Sequence, residues 1–404
     1  MNTNFSLEYH HIIFMKLIFL ILLFSNLLIA QYSLISDINY ANRGDTAQVL
    51  DLLMPDNIVE ASPLVVFIHG GQWRGGDKSL AIEWVDTLLN HKIIVASINY
   101  RLISDSIFPA QIYDCKAAIR WLKANASFYK IDTNKVAVMG TSAGGHLSAL
   151  MGTSFGVVPL EDFNLGNPNY SSKVYAVVDF FGPTEMLRND LYHSPNCSNP
   201  INFNEADSPP SKLVGCPIQT CSEKIIAVDP ATYIDSSDPP FLIFHGEDDC
   251  SISAFESIYL DSALTAHNVY SSFNLMPGFA HAKDEQWKTP SLKLAVLSFL
   301  EQAFSGALCC DSSTTNILAE YLFPSFPNPF NDHVTIRYQL SSFKFVSLKI
   351  YDVLGREIAN PVNTYQATGI YDQQFNANNL SSGVYYYQLR AGTFVETKKM
   401  ILLH

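Results

Sequence analysis

Charge is scarce in this chain of 404 residues: 16% are charged, and 25 Lys and Arg face 38 Asp and Glu, for a formal net charge of −13. Basic residues form no stripe, which excludes a nucleic acid or an anionic membrane surface as the expected partner. Disorder is excluded too, because 48% of the residues are hydrophobic and 12% aromatic. No internal repeat or low-complexity tract is present, and although the spacing of Cys197, Cys216 and Cys221 could suggest metal ligands, no matching His or Cys pair accompanies it. The acidity is lopsided: residues 1–315 carry 18 Lys and Arg against 32 Asp and Glu, whereas residues 316–404 carry 7 against 6. A chain of this length supports two or three domains, and the charge split suggests that two unlike pieces are joined.

The unbroken apolar stretch Leu17 to Phe24 is too short for a confident membrane span. Lys16 before it and Ala30 after it outline a secretory signal peptide over residues 1–30, with Met15 the expected true start and Gln31 the expected mature end. No stable membrane span is expected. Export would place the seven cysteines in an oxidising compartment. Cys197, Cys216 and Cys221 crowd one polar stretch, where one disulfide among them is expected, the pair undetermined. Cys115 reads as a buried helix residue, and Cys309-Cys310 falls in a linker.

From about residue 45 to 304, short apolar runs alternate with longer amphipathic ones. Val65 to Ile68, Ile93 to Ala96, Val136 to Met139, Val177 to Phe181 and Phe241 to Phe244 read as buried strands. Such continuous apolar runs fit parallel strands covered on both faces. Between them, Ile112, Cys115, Ile119, Leu122 and Ala126 recur at helical steps, with Pro109 near the helix start. The fold class predicted is α/β, an open and mostly parallel sheet with helices on both faces. Residues 184–237 interrupt this rhythm with several prolines, among them Pro195, Pro200, Pro209, Pro210 and Pro217, and no long periodic run, and read as a cap-like insertion or a plain surface excursion. Residues 305–320 read as a linker. Residues 321–404 alternate in strand fashion, with turns at Leu354-Gly355 and Ser382-Gly383, and predict a small all-β sandwich.

Gly140-Thr141-Ser142-Ala143-Gly144 follows one predicted strand and opens a helix. In that setting small residues permit the strained turn that presents a serine Oγ, with a helix N-terminus beside it for a developing oxyanion. His69-Gly70-Gly71-Gln72-Trp73 ends another strand; the main-chain N–H of Gly71 or Gln72, with that of Ala143, would be the oxyanion donors. His69 itself reads as a loop-orienting residue. Downstream, Phe241 to Phe244 runs into His245-Gly246-Glu247-Asp248-Asp249, and Tyr270 to Met276 into Pro277-Gly278-Phe279-Ala280-His281. Ser142, Asp249 and His281 thus stand in the order nucleophile, acid, base, each past a predicted strand end. Asp248 competes with Asp249. His267 reads as a solvated or packed helix residue, and His146 as a residue of the first helical turn.

These motifs, together with Asn99-Tyr100-Arg101-Leu102 and the extension to Gly145-His146, resemble the bacterial esterase/lipase group of the α/β-hydrolase superfamily. Within it they are most like feruloyl- and acetylxylan-esterase members. The resemblance covers about residues 45–304 and implies Ser142 as nucleophile, His281 as base and Asp249 as acid; the group's spacing after the His-Gly pair favours Asp249 over Asp248. Two departures stand out: Gln72 replaces a third glycine, and Phe279 to Ala282 replaces a Gly-His-Gly. The tail resembles the C-terminal sorting domain of type IX (Por) secretion. Phe326-Pro327-Asn328-Pro329-Phe330-Asn331, Lys349 to Glu357 and Leu380 to Tyr385 carry that likeness. It implies export and release or attachment at the cell surface, with the secretion machinery as a partner.

The function expected is therefore a secreted serine ester hydrolase acting on short acyl or aryl esters, such as acetyl or feruloyl groups on plant polysaccharide. Trp73 and residues 184–237 would set the substrate preference, and the chemistry needs no metal or organic cofactor. A lipase or peptidase of the same fold, or a surface binding protein on a hydrolase scaffold, are the alternatives.

Overall fold

The computed structural model describes residues 32–308 and 320–403, except 42, 45, 194–196, 198, 283, 341–343, 367, 368 and 393. The expected signal peptide, Cys309-Cys310 and most of the expected linker lie outside the described residues.

Eight strands form the main sheet: β1 (Tyr32–Asn39), β2 (Val49–Pro55), β3 (Ser62–Ile68), β4 (Ile94–Ile98), β5 (Ile131–Thr141), β6 (Ala176–Phe180), β7 (Phe241–Gly246) and β8 (Ser271–Met276). Their spatial order is β1-β2-β4-β3-β5-β6-β7-β8. β1, β2 and β4 pair antiparallel, and every pairing from β4 through β8 is parallel. The antiparallel edge begins at Tyr32, so the sheet starts earlier than the similarity from about residue 45 indicated.

Strand alternation sorts the core into two layers. Leu64, Val66 and Ile68 pack on one face with residues of α2 (Ala110–Ala124), α3 (Ala143–Thr153) and α4 (Phe255–Ala266). Val65 and Phe67 pack on the other, with α1 (Ile82–Asn90) and α5 (Pro290–Ser305). Both faces are covered, which is why the strands read as unbroken apolar runs. Cys115 is buried in α2 and forms no disulfide. All the parallel strands end at one edge, where an open sheet of this kind collects its ligands.

The segment 184–237 is more ordered than its sequence implied. It carries two short helices, Pro209–Val214 and Ser222–Val228, and turns of tighter helix at Asn189–Leu191, Ile218–Thr220 and Pro230–Tyr233. The helix Pro209–Val214 is defined by its ends: the Ser208 hydroxyl accepts the Ser211 N–H, prolines occupy the first positions, and Gly215 closes it in the left-handed region. Helices this short hold no repeated apolar period, so only their caps were visible in sequence. The expected disulfide among the three crowded cysteines is present, and a further one was not foreseen. Cys216 pairs with Cys221, but Cys197 forms a second disulfide with Cys250, outside the stretch considered.

The tail folds into seven strands: β9 (Tyr321–Leu322), β10 (His333–Leu340), β11 (Lys344–Tyr351), β12 (Glu357–Gln366), β13 (Gly369–Asn376), β14 (Gly383–Ala391) and β15 (Phe394–Leu402). They make a three-stranded sheet, β13-β10-β9, and a four-stranded sheet, β12-β11-β14-β15. Alternate residues such as Val346, Leu348, Ile350, Tyr387 and Leu389 fill a core built from tail residues alone. β12 was not legible in sequence because it is a largely exposed edge strand carrying Pro361, a residue an edge tolerates.

Candidate active site

Ser142 sits between the end of β5 and the start of α3, at φ 55° and ψ −121°. A side chain cannot relax from that region without moving the turn, and the turn is locked by close approach. A Cβ on Gly140 would collide with the Gly144 carbonyl, and one on Gly144 with the Ile68 carbonyl. The Ser142 N–H is anchored on the Phe180 carbonyl at 2.8 Å. The serine side chain is thereby lifted off the strand edge.

His281 lies on the turn after β8, with Asp249 on the turn after β7. The Ser142 hydroxyl donates to His281 Nε2 at 3.1 Å, and His281 Nδ1–H donates to Asp249 Oδ2 at 2.6 Å. Phe181 packs edge-on against the imidazole at 4.9 Å. Asp249 Oδ1 accepts the N–H groups of Ser251 and Ile252 at 2.8 and 2.9 Å, which fix the carboxylate's plane. The carboxylate has no solvent exposure. Burial alone would raise its pKa, but hydrogen bonds from His245 and His281 outweigh that and hold it well below the usual carboxylate range.

His245 is a neighbour whose part sequence reasoning missed. Its Nδ1 is 2.7 Å from the Ser257 hydroxyl, and its Nε2 lies 3.0 Å from the Ile252 carbonyl and 3.4 Å from Asp249 Oδ2. A histidine directly on the strand before an acid-bearing turn was the available signal. Asp248 instead directs its main-chain N–H to the Phe279 carbonyl at 2.9 Å.

The loop after β3 turns sharply, with Gly71, Gln72 and Trp73 all at positive φ. The N–H groups of Arg74 and Gly75 both close on the Gly71 carbonyl at 3.1 Å. Among the described residues, the main-chain N–H groups of Gly71, Gln72 and Ala143 have no hydrogen-bond acceptor. His69 is buried beneath them, donating Nδ1–H to the Gly70 carbonyl at 2.7 Å and stacking on Tyr100 at 4.4 Å. Burial lowers its pKa, against the Gly70 hydrogen bond. Tyr100 O–H in turn donates to the His69 carbonyl at 3.0 Å, and Arg101 of the same motif is tied to Asp114 at 2.8 Å. This motif therefore braces the loop.

Two cavities meet at Ser142 and His281. One is narrow, about 300 Å³ even when counted out into open solvent, and is walled by Trp73, Ala143, Pro183, Ile201, Phe203 and Ile252. Ile201 and Phe203 come from the 184–237 segment, so that segment borders the site rather than merely running over the surface. The other is a wider cleft of about 1290 Å³, counted to its open mouth, bordered by Gly71, Trp84, Phe181, Trp287 and Lys288. Trp73 is buried, with His146 edge-on behind it at 5.2 Å. His146 Nε2–H donates to the Val228 carbonyl at 2.7 Å, and burial brings its pKa down to about 4. His267 caps the end of α4, is exposed, and borders neither cavity.

Residues 50–264 match the BD-FAE family, and residues 325–403 match the Secretion system C-terminal sorting domain. Among curated proteins the chain is 27% identical to Esterase LipC of Mycobacterium tuberculosis, over 64% of this chain and 63% of that protein. It is 31% identical to the Probable carboxylic ester hydrolase LipM of the same organism, over 53% of this chain and 47% of that protein. The chain thus spans between about half and two thirds of the length of these relatives. Among solved structures, a truncated form of carbohydrate esterase from gut microbiota is 29% identical with a TM-score of 0.61, covering 69% of this chain and 98% of its own. A bifunctional GH43-CE protein of Bacteroides eggerthii is 34% identical with a TM-score of 0.61, covering 67% of this chain and 35% of its own.

Proposed function

The chain belongs to the BD-FAE family of the α/β-hydrolase fold, and from that premise we propose that it is a secreted serine carboxylic-ester hydrolase removing short acyl groups, such as acetyl, from an esterified polysaccharide. One observation carries the reading: the unbroken hydrogen-bond path from Ser142 Oγ through His281 to Asp249, at 3.1 and 2.6 Å, beside unused main-chain donors.

In this reading His281 Nε2 takes the Ser142 proton as Oγ attacks the ester carbonyl. The buried, ionised Asp249 holds the Nδ1–H tautomer and stabilises the imidazolium. The N–H groups of Ala143 and of Gly71 or Gln72 receive the oxyanion, as the helix N-terminus favours. His281 then protonates the leaving alcohol, and water attacking the acyl-enzyme repeats the cycle. No step calls on a metal or organic cofactor.

The two cavities divide the substrate by size. A sugar chain is the bulky partner of the ester and needs the wider cleft, which the exposed Leu80 borders. The narrower pocket, walled by Trp73, Ile201, Phe203 and Ile252, takes the small acyl group. The carbohydrate-esterase neighbours support a saccharide alcohol. The sorting-domain match supports passage through the type IX secretion machinery to the cell surface, with residues 1–30 as the signal peptide.

The test is acetate release from acetylated xylan set against methyl ferulate and p-nitrophenyl acetate. Turnover of acetylated xylan and p-nitrophenyl acetate well above that of methyl ferulate is expected. Inertness toward all three would refute the proposal.

A further inference from the structure

We infer that the Cys197–Cys250 disulfide is a specificity-determining element, fixing how long an acyl chain the narrower pocket beside Ser142 accepts; this rests on the ester-hydrolase reading above. Cys250 directly follows Asp249, and Cys197 lies four residues before Ile201. The bond therefore joins the acid-bearing turn to the segment that supplies Ile201 and Phe203 to the pocket wall. The turn supplies Ser251 and Ile252 to the same wall.

Around the bond, the two segments are laced together by polar contacts. The Ile201 N–H donates to the Cys250 carbonyl at 2.9 Å. Ser253 donates its N–H to Asn189 Oδ1 at 2.8 Å and its hydroxyl to the Tyr192 carbonyl at 2.6 Å. Within the segment itself, the Asp190 carboxylate accepts the N–H groups of Phe203 and Asn204 at 2.8 and 2.9 Å. Hydrogen bonds of loops open and reclose locally, whereas a cross-link over 53 residues limits how far the two segments can part. With the bond intact, Ile201 and Phe203 stay in the wall opposite Ser142, and a long acyl chain meets that wall. Without it, the wall can yield.

The second disulfide supplies an internal control. Cys216 and Cys221 are five residues apart, joining the turn between two short helices, and neither borders the pocket.

The experiment compares kcat/KM for p-nitrophenyl acetate, butyrate and octanoate in the full-length wild type, C197S/C250S, C216S/C221S and Phe203→Ala. The octanoate-to-acetate ratio is expected to rise about tenfold or more in C197S/C250S and in Phe203→Ala, and to stay within about twofold in C216S/C221S. A folded C197S/C250S protein that cleaves acetate with the wild-type ratio overturns the inference. If that variant does not fold, folded C216S/C221S protein treated with tris(2-carboxyethyl)phosphine carries the same comparison on Cys197–Cys250, the one disulfide left among the described residues. A wild type inert to all three esters contradicts the ester-hydrolase reading itself, whereas an active wild type with an unmoved ratio contradicts only the role of the bond.

Discussion

At the scale of single residues, the site depends on strain held in place. A non-glycine residue in the region occupied by Ser142 costs about 1–3 kcal/mol and persists only when its surroundings over-determine it. The glycine contacts on either side of Ser142 and the Ser142 N–H bond to Phe180 supply that constraint. Asp249 is constrained likewise, by two main-chain donors and two imidazoles. Neighbouring Asp248 makes the sharpest comparison, because the two residues have the same charge and differ by one position. Asp249→Asn is expected to lower kcat for p-nitrophenyl acetate by about 10⁴-fold, through loss of the correct imidazole tautomer. Asp248→Asn is expected to change it by less than about threefold, as surface substitutions away from key features do. Steady-state kinetics of the two variants decides the assignment, and the reverse ranking would transfer it to Asp248.

At the scale of elements, the proposed site is an assembly of strand ends: β3 leads into the loop of Gly71 and Gln72, β5 into Ser142, β7 into Asp249 and β8 into His281. The segment 184–237 is fastened to this frame at its start, where the Thr184 N–H donates to Glu256 Oε2 of α4 at 2.6 Å. Burial pushes the Glu256 carboxyl up to about 8, against that hydrogen bond, and the nearby Glu185 and Asp229 push the same way. The folded state thus holds a proton that an unfolded glutamate, with its pKa of about 4.3, gives up. The stability this protonation confers is present at low pH and is lost as pH rises from about 4.3 to about 8. Glu256→Gln keeps the accepting oxygen without the titration. Its melting temperature is expected to fall less steeply than the wild type's between pH 5 and 8 in thermal scans at fixed salt. Identical slopes would refute the link.

At this same scale the limits of sequence reading are physical. Strands covered on both faces were legible because burial alone dictates their composition, and the serine turn because only glycines fit its close contacts. The helices Pro209–Val214 and Ser222–Val228 were not, since neither is long enough to repeat an apolar face. The partner of Cys197 was hidden for another reason. Cys250 stands beside Asp249, 53 residues away, and only the packing of the segment against the acid turn brings the two together. The contact of His245 with Asp249 likewise depends on how the turn doubles back on its own strand.

On the scale of the whole molecule, the two kinds of chain suggested by the charge split have separate cores. One set of buried residues lies between Tyr40 and Ala303, and the other between Leu322 and Leu402. No residue belongs to both, so the described tail can be removed without opening the hydrolase core. In a bacterium that carries type IX secretion machinery, deleting residues 325–403 is expected to abolish surface display while leaving ester hydrolysis in the cell extract. Fractionation with an activity assay checks this, and unchanged display would contradict the sorting assignment. Among the described residues no helix is long and apolar enough to cross a membrane.

The central claim is that Ser142 is an activated nucleophile, and covalent labelling tests it most directly. Folded protein treated with a fluorophosphonate and analysed by intact and peptide mass spectrometry should carry one adduct, on Ser142, and the folded Ser142→Ala variant should carry none. An unlabelled wild type, or an adduct retained in the variant, would contradict the account.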